Sequence, residues 1–116
     1  MALFAATLLH SGTNAHFAHW STNSYSEHVA LGEYYDEIID LVDALVEAYM
    51  GCYTQLKDFP EVYHKPKGDT VSYFVSLQRF VKEARQDLPK ETQIVQLIDN
   101  IAELIDTTIY KLKNLK

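Results

Sequence analysis

The feature that most restricts the fold is a run of apolar side chains spaced three and four residues apart in the second quarter of the chain. Its members are Leu31, Tyr34, Tyr35, Ile38, Val42, Leu45 and Tyr49. This spacing places all of them on one face of an α-helix. It predicts a long second helix from about Tyr25 to Lys57, which Gly51 could kink or end early. Ser24, followed three residues later by Glu27, has the pattern of a capping box at the helix start.

Three other segments have the same helical periodicity, and nothing favours a strand. They cover about residues 2–20, residues 70–87, and the stretch from Pro89 to the end of the chain. The segment DFPEVYHKPKGD, residues 58–69, holds two of the three prolines and is interpreted as a linker. A chain of 116 residues suits one domain, residues 1–116. We therefore expect an all-α, ferritin-like four-helix bundle with a long second helix. Both a crossover, which a linker spanning at most about 40 Å permits, and a simple up-down-up-down order remain open.

The charge balance argues against a nucleic-acid partner. The formal net charge is -6, with 10 Lys and Arg against 16 Asp and Glu. Binding to the phosphate backbone needs clustered cations. The one basic cluster, YKLKNLK at the end of the chain, is typical of a helix C-terminus, where cations complement the helix dipole.

The hydropathy of the chain and its single cysteine indicate where in the cell the protein is expected. No stretch approaches the roughly 18 unbroken apolar residues of a membrane span, so no membrane partner is expected. The opening, MALFAATLLHSG, lacks a basic n-region and is interpreted as the first helix and not as a signal peptide. The single Cys52 cannot form an internal disulfide, which favours a reducing, cytoplasmic location. We expect its thiol to be buried and inert.

Four carboxylates form a narrow stripe on the predicted second helix, on the side away from its apolar stripe. They are Asp36, Asp40, Asp43 and Glu47. An acidic stripe opposite an apolar one is most simply a solvated face. However, no Lys or Arg occurs between residues 21 and 56, and like charges four residues apart repel by a few tenths of a kcal/mol, roughly. A bound cation would remove that repulsion. Since the core lies on the opposite side, the cover for such a site would be a second subunit related by a two-fold axis.

The histidines beside this stripe give the sequence a resemblance to a known family. His19-Trp20 ends the first predicted helix, His28 lies early in the second, Asp43 follows fifteen residues later and Glu47 four after that. The arrangement resembles the ferritin-like superfamily, and most closely the small iron-storing DNA-protection proteins of starved bacteria. The resemblance implies that His19 and His28 of one subunit face Asp43 and Glu47 of its mate in a homodimer. It further implies that these side chains bind iron or another divalent metal, with oxidation of ferrous iron as the activity.

The sequence also departs from that family, which keeps a second function open. Gly32, four residues after His28, stands where the family has a carboxylate, and the loop between the histidines is three residues shorter. The pattern HW…H.ALGEYYDE also resembles an uncharacterised family of small phage-encoded proteins. The alternative is therefore a small helical oligomer that binds another protein, in the host cytoplasm if phage-encoded, with a vestigial metal site. His16 could be an extra ligand but is more simply an interface histidine, and His10 and His64 are not expected to bind metal.

Overall fold

The computed structural model describes every residue from Met1 to Lys116, and it contains four α-helices and no strand. They are α1 (Ala2–Ser21), α2 (Tyr25–Cys52), α3 (Thr70–Ala84) and α4 (Thr92–Asn114), with a 3-10 turn at Arg85–Asp87 before α4. The expected all-α fold of four packed helices is confirmed. None of the helices combines the length and apolarity needed to cross a bilayer.

The helix ends follow local signals, with one correction. The Ser24 hydroxyl accepts a hydrogen bond from the backbone N–H of Glu27, at 3.3 Å, as expected at the start of α2. At the other end α2 stops at Cys52 and not at Lys57. Gly51 lies in its last turn, where glycine costs about 1 kcal/mol relative to alanine. The residues that follow, 52–55, are all exposed, so little burial compensates for this cost.

The core lies between the four helices and uses the predicted apolar faces. Every helix contributes to a cluster of 21 buried apolar residues. Its largest completely enclosed side chains are Tyr34 of α2 and Phe74 of α3, whose rings meet edge to face with centroids 4.7 Å apart. The Tyr34 hydroxyl hydrogen-bonds Ser11 of α1 at 2.7 Å, and burial raises the pKa of this phenol. A hydrogen-bonded hydroxyl costs little free energy to bury, so Tyr34 fills the core without leaving a buried polar atom unpaired.

Contacts at the helix ends define the chain topology. The Tyr53 hydroxyl, just beyond α2, donates to Glu91 at the start of α4. Lys111 near the end of α4 pairs with Glu33 near the start of α2, at 2.8 Å. These two contacts make α2 and α4 antiparallel. The side-chain amide of Gln78 in α3 donates to Asp106 of α4 at 2.8 Å, and Arg85 and Asp99 pair closer to the turn, so α3 and α4 are antiparallel as well.

It follows that α2 and α3 run parallel and that the segment between them crosses the length of the bundle. This segment is residues 53–69 and not 58–69, because α2 ends early. At about 3.3 Å per residue, its greater length can span the 44 Å long axis of the molecule with slack. Of the two topologies left open above, the chain adopts the crossover. The second helix is thus shorter than expected, and residues 53–57 belong to the crossing segment and not to α2.

Candidate metal centre

His19 and His28 form a reciprocal pair where α1 ends and α2 begins. Nδ1 of His19 lies 2.6 Å from the backbone carbonyl oxygen of His28, and Nδ1 of His28 lies 2.7 Å from the carbonyl oxygen of His19. Their rings stack with centroids 3.6 Å apart and planes inclined by 16°. Because a carbonyl oxygen only accepts hydrogen bonds, both Nδ1 atoms must carry the proton. In the neutral form, each Nε2 atom therefore carries a lone pair.

This arrangement has a chemical consequence for metal binding. A histidine that ligates a metal ion generally donates its other ring N–H to a carbonyl or carboxylate, which selects the tautomer and orients the ring. Both imidazoles have such an acceptor, and both side chains are only partly buried. The turn between α1 and α2 thus holds two stacked imidazoles, each fixed through its Nδ1 atom.

Gly32 creates the space that the His19 ring occupies. A Cβ atom built on Gly32 would lie 3.2 Å from Cε1 and 3.3 Å from Nδ1 of His19, which is closer than ordinary van der Waals contact. The imidazole therefore packs directly on the backbone of α2 at this residue. A carboxylate side chain at position 32 would compete with His19 for the same space. Glycine at position 32, where the ferritin-like pattern has a carboxylate, therefore leaves room for the His19 imidazole.

Replacing Gly32 with alanine should displace the His19 ring by a few tenths of an ångström and disturb its bond to the His28 carbonyl. Loss of such a supporting interaction typically lowers metal affinity by about 10- to 100-fold. We expect a loss in this range for Co²⁺ or Zn²⁺, measured by calorimetric titration. Gly51→Ala is the matched control, because a Cβ at Gly51 meets no atom within 4 Å. Equal affinities for the wild type and Gly32→Ala would contradict the role given to this glycine.

The two carboxylates predicted as ligands are not close to the imidazoles within one copy of the chain. Asp43 and Glu47 are exposed on the outer side of α2, as are Asp36 and Asp40. Fifteen residues of helix separate His28 from Asp43, which corresponds to about 22 Å along the axis. No group of three or more His, Cys, Asp or Glu side chains within one copy is arranged to hold a metal ion. A single copy therefore supplies an imidazole pair at one end of α2 and a carboxylate pair farther along it.

An apolar surface lies beside these two pairs, on the outer side of α1 and α2. It includes Leu9, Trp20 and Ile39, whose exposed fractions are 43%, 66% and 47%. A shallow groove on this surface is lined by Leu9, Gly12, Thr13, His16, Tyr35 and Ile39. The His16 ring lies flat on Tyr35, with centroids 4.0 Å apart, and against Trp20 at 4.4 Å. His16 is therefore part of an aromatic stack on this surface.

Sequence reasoning missed the contacts of two other histidines and misplaced the cysteine. The Nδ1 atoms of His10 and His64 lie 3.0 Å apart, although 54 residues separate the two histidines in the chain. No local signal could reveal a contact over such a separation. Cys52 is exposed, so the expectation of a buried thiol is wrong. It is the last residue of α2, and its Sγ atom accepts a hydrogen bond from the side-chain amide of Gln93 in α4 at 3.4 Å.

Comparison with known proteins gives one match. A family model described as a family of unknown function (DUF5856) matches residues 19–112, which include both imidazoles and both carboxylates. Comparisons with curated proteins and with solved structures gave no significant match.

Proposed function

The chain belongs to this family of unknown function, and we propose that it binds a divalent metal ion between two copies of itself. In each site, His19 and His28 come from one copy and Asp43 and Glu47 from the other. Two imidazoles and two carboxylates suit iron, zinc or manganese. The observation that supports this proposal most directly is the reciprocal pairing of His19 and His28, which leaves both Nε2 atoms with lone pairs.

A two-fold axis would bring the separate pairs together. If two α2 helices lie antiparallel, the axis passes near Tyr35 to Ile39, midway between the imidazole pair and the carboxylate pair. Each end of the interface then joins the imidazoles of one copy to the carboxylates of its mate, as an isologous contact requires. The exposed Leu9, Trp20 and Ile39 lie on this side and would supply apolar area to the contact. Neutralisation by metal ions would also offset the repulsion within the acidic stripe.

The topology supports a ferritin-like interpretation of the bundle. One long crossover between the second and third helices is the connection found in ferritin-like folds. Such folds commonly build metal sites from carboxylates and histidines on their helices. With Gly32 in place of a carboxylate, the proposed site holds two nitrogen and two carboxylate ligands. Binding of iron or another divalent ion is the proposal, and oxidation of ferrous iron by dioxygen or peroxide is its extension.

A second candidate is a helical oligomer that acts by binding another protein, a host protein if the chain is phage-encoded. The exposed aromatic side chains near the turn between α1 and α2 favour it. Trp20 and Tyr25 have exposed fractions of 66% and 80%, and Phe17 is half exposed. Aromatic residues are enriched at the centres of protein interfaces. In this case, the imidazole pair would remain as a vestigial half-site.

Mixing two inactive variants separates these functions. One variant carries His19→Ala and His28→Ala, and the other carries Asp43→Ala and Glu47→Ala. Each should bind almost no metal alone, because every site in its homodimer lacks one pair. A mixed dimer contains one complete site and one empty one. After unfolding and refolding the two together in equal amounts, half of the dimers are mixed, so metal content should recover to about a quarter of the wild-type value.

The readout is elemental analysis of protein equilibrated with Fe²⁺ under anaerobic conditions or with Zn²⁺, with oligomeric state measured by sedimentation. Glu33→Ala and Glu37→Ala in one chain serve as the control, because they remove two other α2 acids and should leave metal content unchanged. No recovery on mixing, with dimers present, would refute a site shared between copies. Near-zero metal in the wild type would leave only the protein-interaction function.

A further inference from the structure

The crossing segment 53–69 is fastened to α1 by a compact set of polar contacts. The Asn14 side-chain amide donates to the backbone carbonyl of His64 at 2.8 Å and to the Tyr73 hydroxyl of α3 at 2.9 Å. Its carbonyl oxygen accepts from the Tyr63 hydroxyl. One buried asparagine thus joins α1, the crossing segment and α3. We call this set, together with His10, the α1–linker clasp.

His10 makes the second half of the clasp, and its hydrogen bonds define its protonation state. Its Nδ1 accepts the backbone N–H of His64 at 3.3 Å and also lies 3.0 Å from Nδ1 of the His64 ring. An atom that accepts a backbone N–H must carry a lone pair, so His10 has its proton on Nε2. The Nδ1 of His64 is then the donor in the ring–ring contact. Adding a proton to Nδ1 of His10 would remove both bonds at once and set two N–H groups against each other.

The groups that face His10 do nothing to stabilise its protonated form. From the crossing segment these are the His64 ring and Tyr63, whose ring meets that of His10 edge to face at 5.1 Å. Tyr73 of α3 joins through Asn14. The only ion pairs in the chain are Arg85 with Asp99 and Lys111 with Glu33, so no carboxylate is paired with either imidazole. Burial, and next the neighbouring His64, lower the pKa of His10 below its ordinary value of 6.5.

We propose that the α1–linker clasp is a pH-sensitive contact that holds the crossing segment against α1 near neutral pH and releases it on acidification. A side chain with a lowered pKa binds its proton more readily when the contact is open. The closed form therefore has its full advantage above pH 6.5 and loses it as pH falls from there through the lowered pKa of His10. Release removes one wall of a cavity of about 440 Å³ between α1, the crossing segment and α3. The buried side chains that line this cavity include Ala15 and Phe74.

Hydrogen exchange at the His64 amide tests the proposal, because this N–H donates directly to His10. The quantity to compare is the protection factor, which divides out the pH dependence of the intrinsic exchange rate. Between about pH 7.5 and pH 5 the protection factor should fall severalfold in the wild type. Binding of one proton can change it by at most about tenfold per pH unit. Nitrogen-15 spectra of the imidazoles over the same range should show protonation of His10 in step with the loss of protection.

The variant His10→Asn keeps an acceptor near the position of Nδ1 but cannot titrate. Its protection factor at His64 should therefore be nearly independent of pH. His16→Asn is the matched control, since His16 is a part-buried histidine of α1 outside the clasp, and it should behave like the wild type. If His10→Asn does not fold, His64→Asn, which retains a donor to His10, should keep the wild-type pH dependence. Constant protection in the wild type, or an equal pH dependence in His10→Asn, would overturn the proposal.

Discussion

Phe74→Ala is expected to lower the free energy of unfolding by about 3–5 kcal/mol, the usual cost of truncating a buried phenylalanine. The Phe74 side chain is completely buried and meets the Tyr34 ring edge to face at 4.7 Å. Its removal loses the transfer free energy of the ring and also adds the cost of a cavity between α2 and α3. The rigid helices around it can only partly collapse, so the cost should fall in the upper part of the range for core truncations.

Urea unfolding followed by circular dichroism measures this change as a shift in midpoint at constant slope. Tyr110→Ala provides the control, because this aromatic ring is 57% exposed on α4 and its truncation should change stability by less than about 0.5 kcal/mol. A loss below about 1 kcal/mol at Phe74 would show that the ring does not occupy the centre of the core.

Gly12→Leu is expected to destabilise the protein by about 1–3 kcal/mol, although leucine is the better helix former. A Cβ atom at this position would lie 3.1 Å from Cγ2 of Ile38. Ile38 is fully buried, so its side chain has nowhere to move without displacing others. The rest of the leucine side chain must then push α1 away from α2. Glycine generally weakens a helix, but in the structure Gly12 permits α1 and α2 to approach each other.

Gly51→Leu is the paired control for Gly12→Leu. It makes the same change in a helix, at a site where a Cβ meets nothing within 4 Å. This variant should be neutral or more stable by up to about 1 kcal/mol. The difference between the two variants isolates the packing cost from helix propensity. Equal effects at both positions would refute the close approach of α1 and α2.

The candidate site was only partly visible in the sequence. The resemblance to ferritin-like proteins selected His19, His28, Asp43 and Glu47, and the helical periodicity placed the acids on the outer side of α2, where they lie. The reciprocal bonds of the imidazoles could not be derived, because each joins a ring to a carbonyl nine residues away across a turn. The part played by Gly32 was equally hidden, since a glycine has no side chain to reveal what packs on it.

Interactions between neighbouring residues account for the features of the fold that could be predicted from the chain. Apolar spacing, the Ser24 cap and the weakness at Gly51 act within one or two helical turns, so the all-α class and most helix ends follow from neighbouring residues. The parallel order of α2 and α3, the crossing segment and the His10–His64 contact were decided by the tertiary structure. They depend on groups far apart in the chain, whose meeting is set by the packing of the whole core and not by any short stretch of residues.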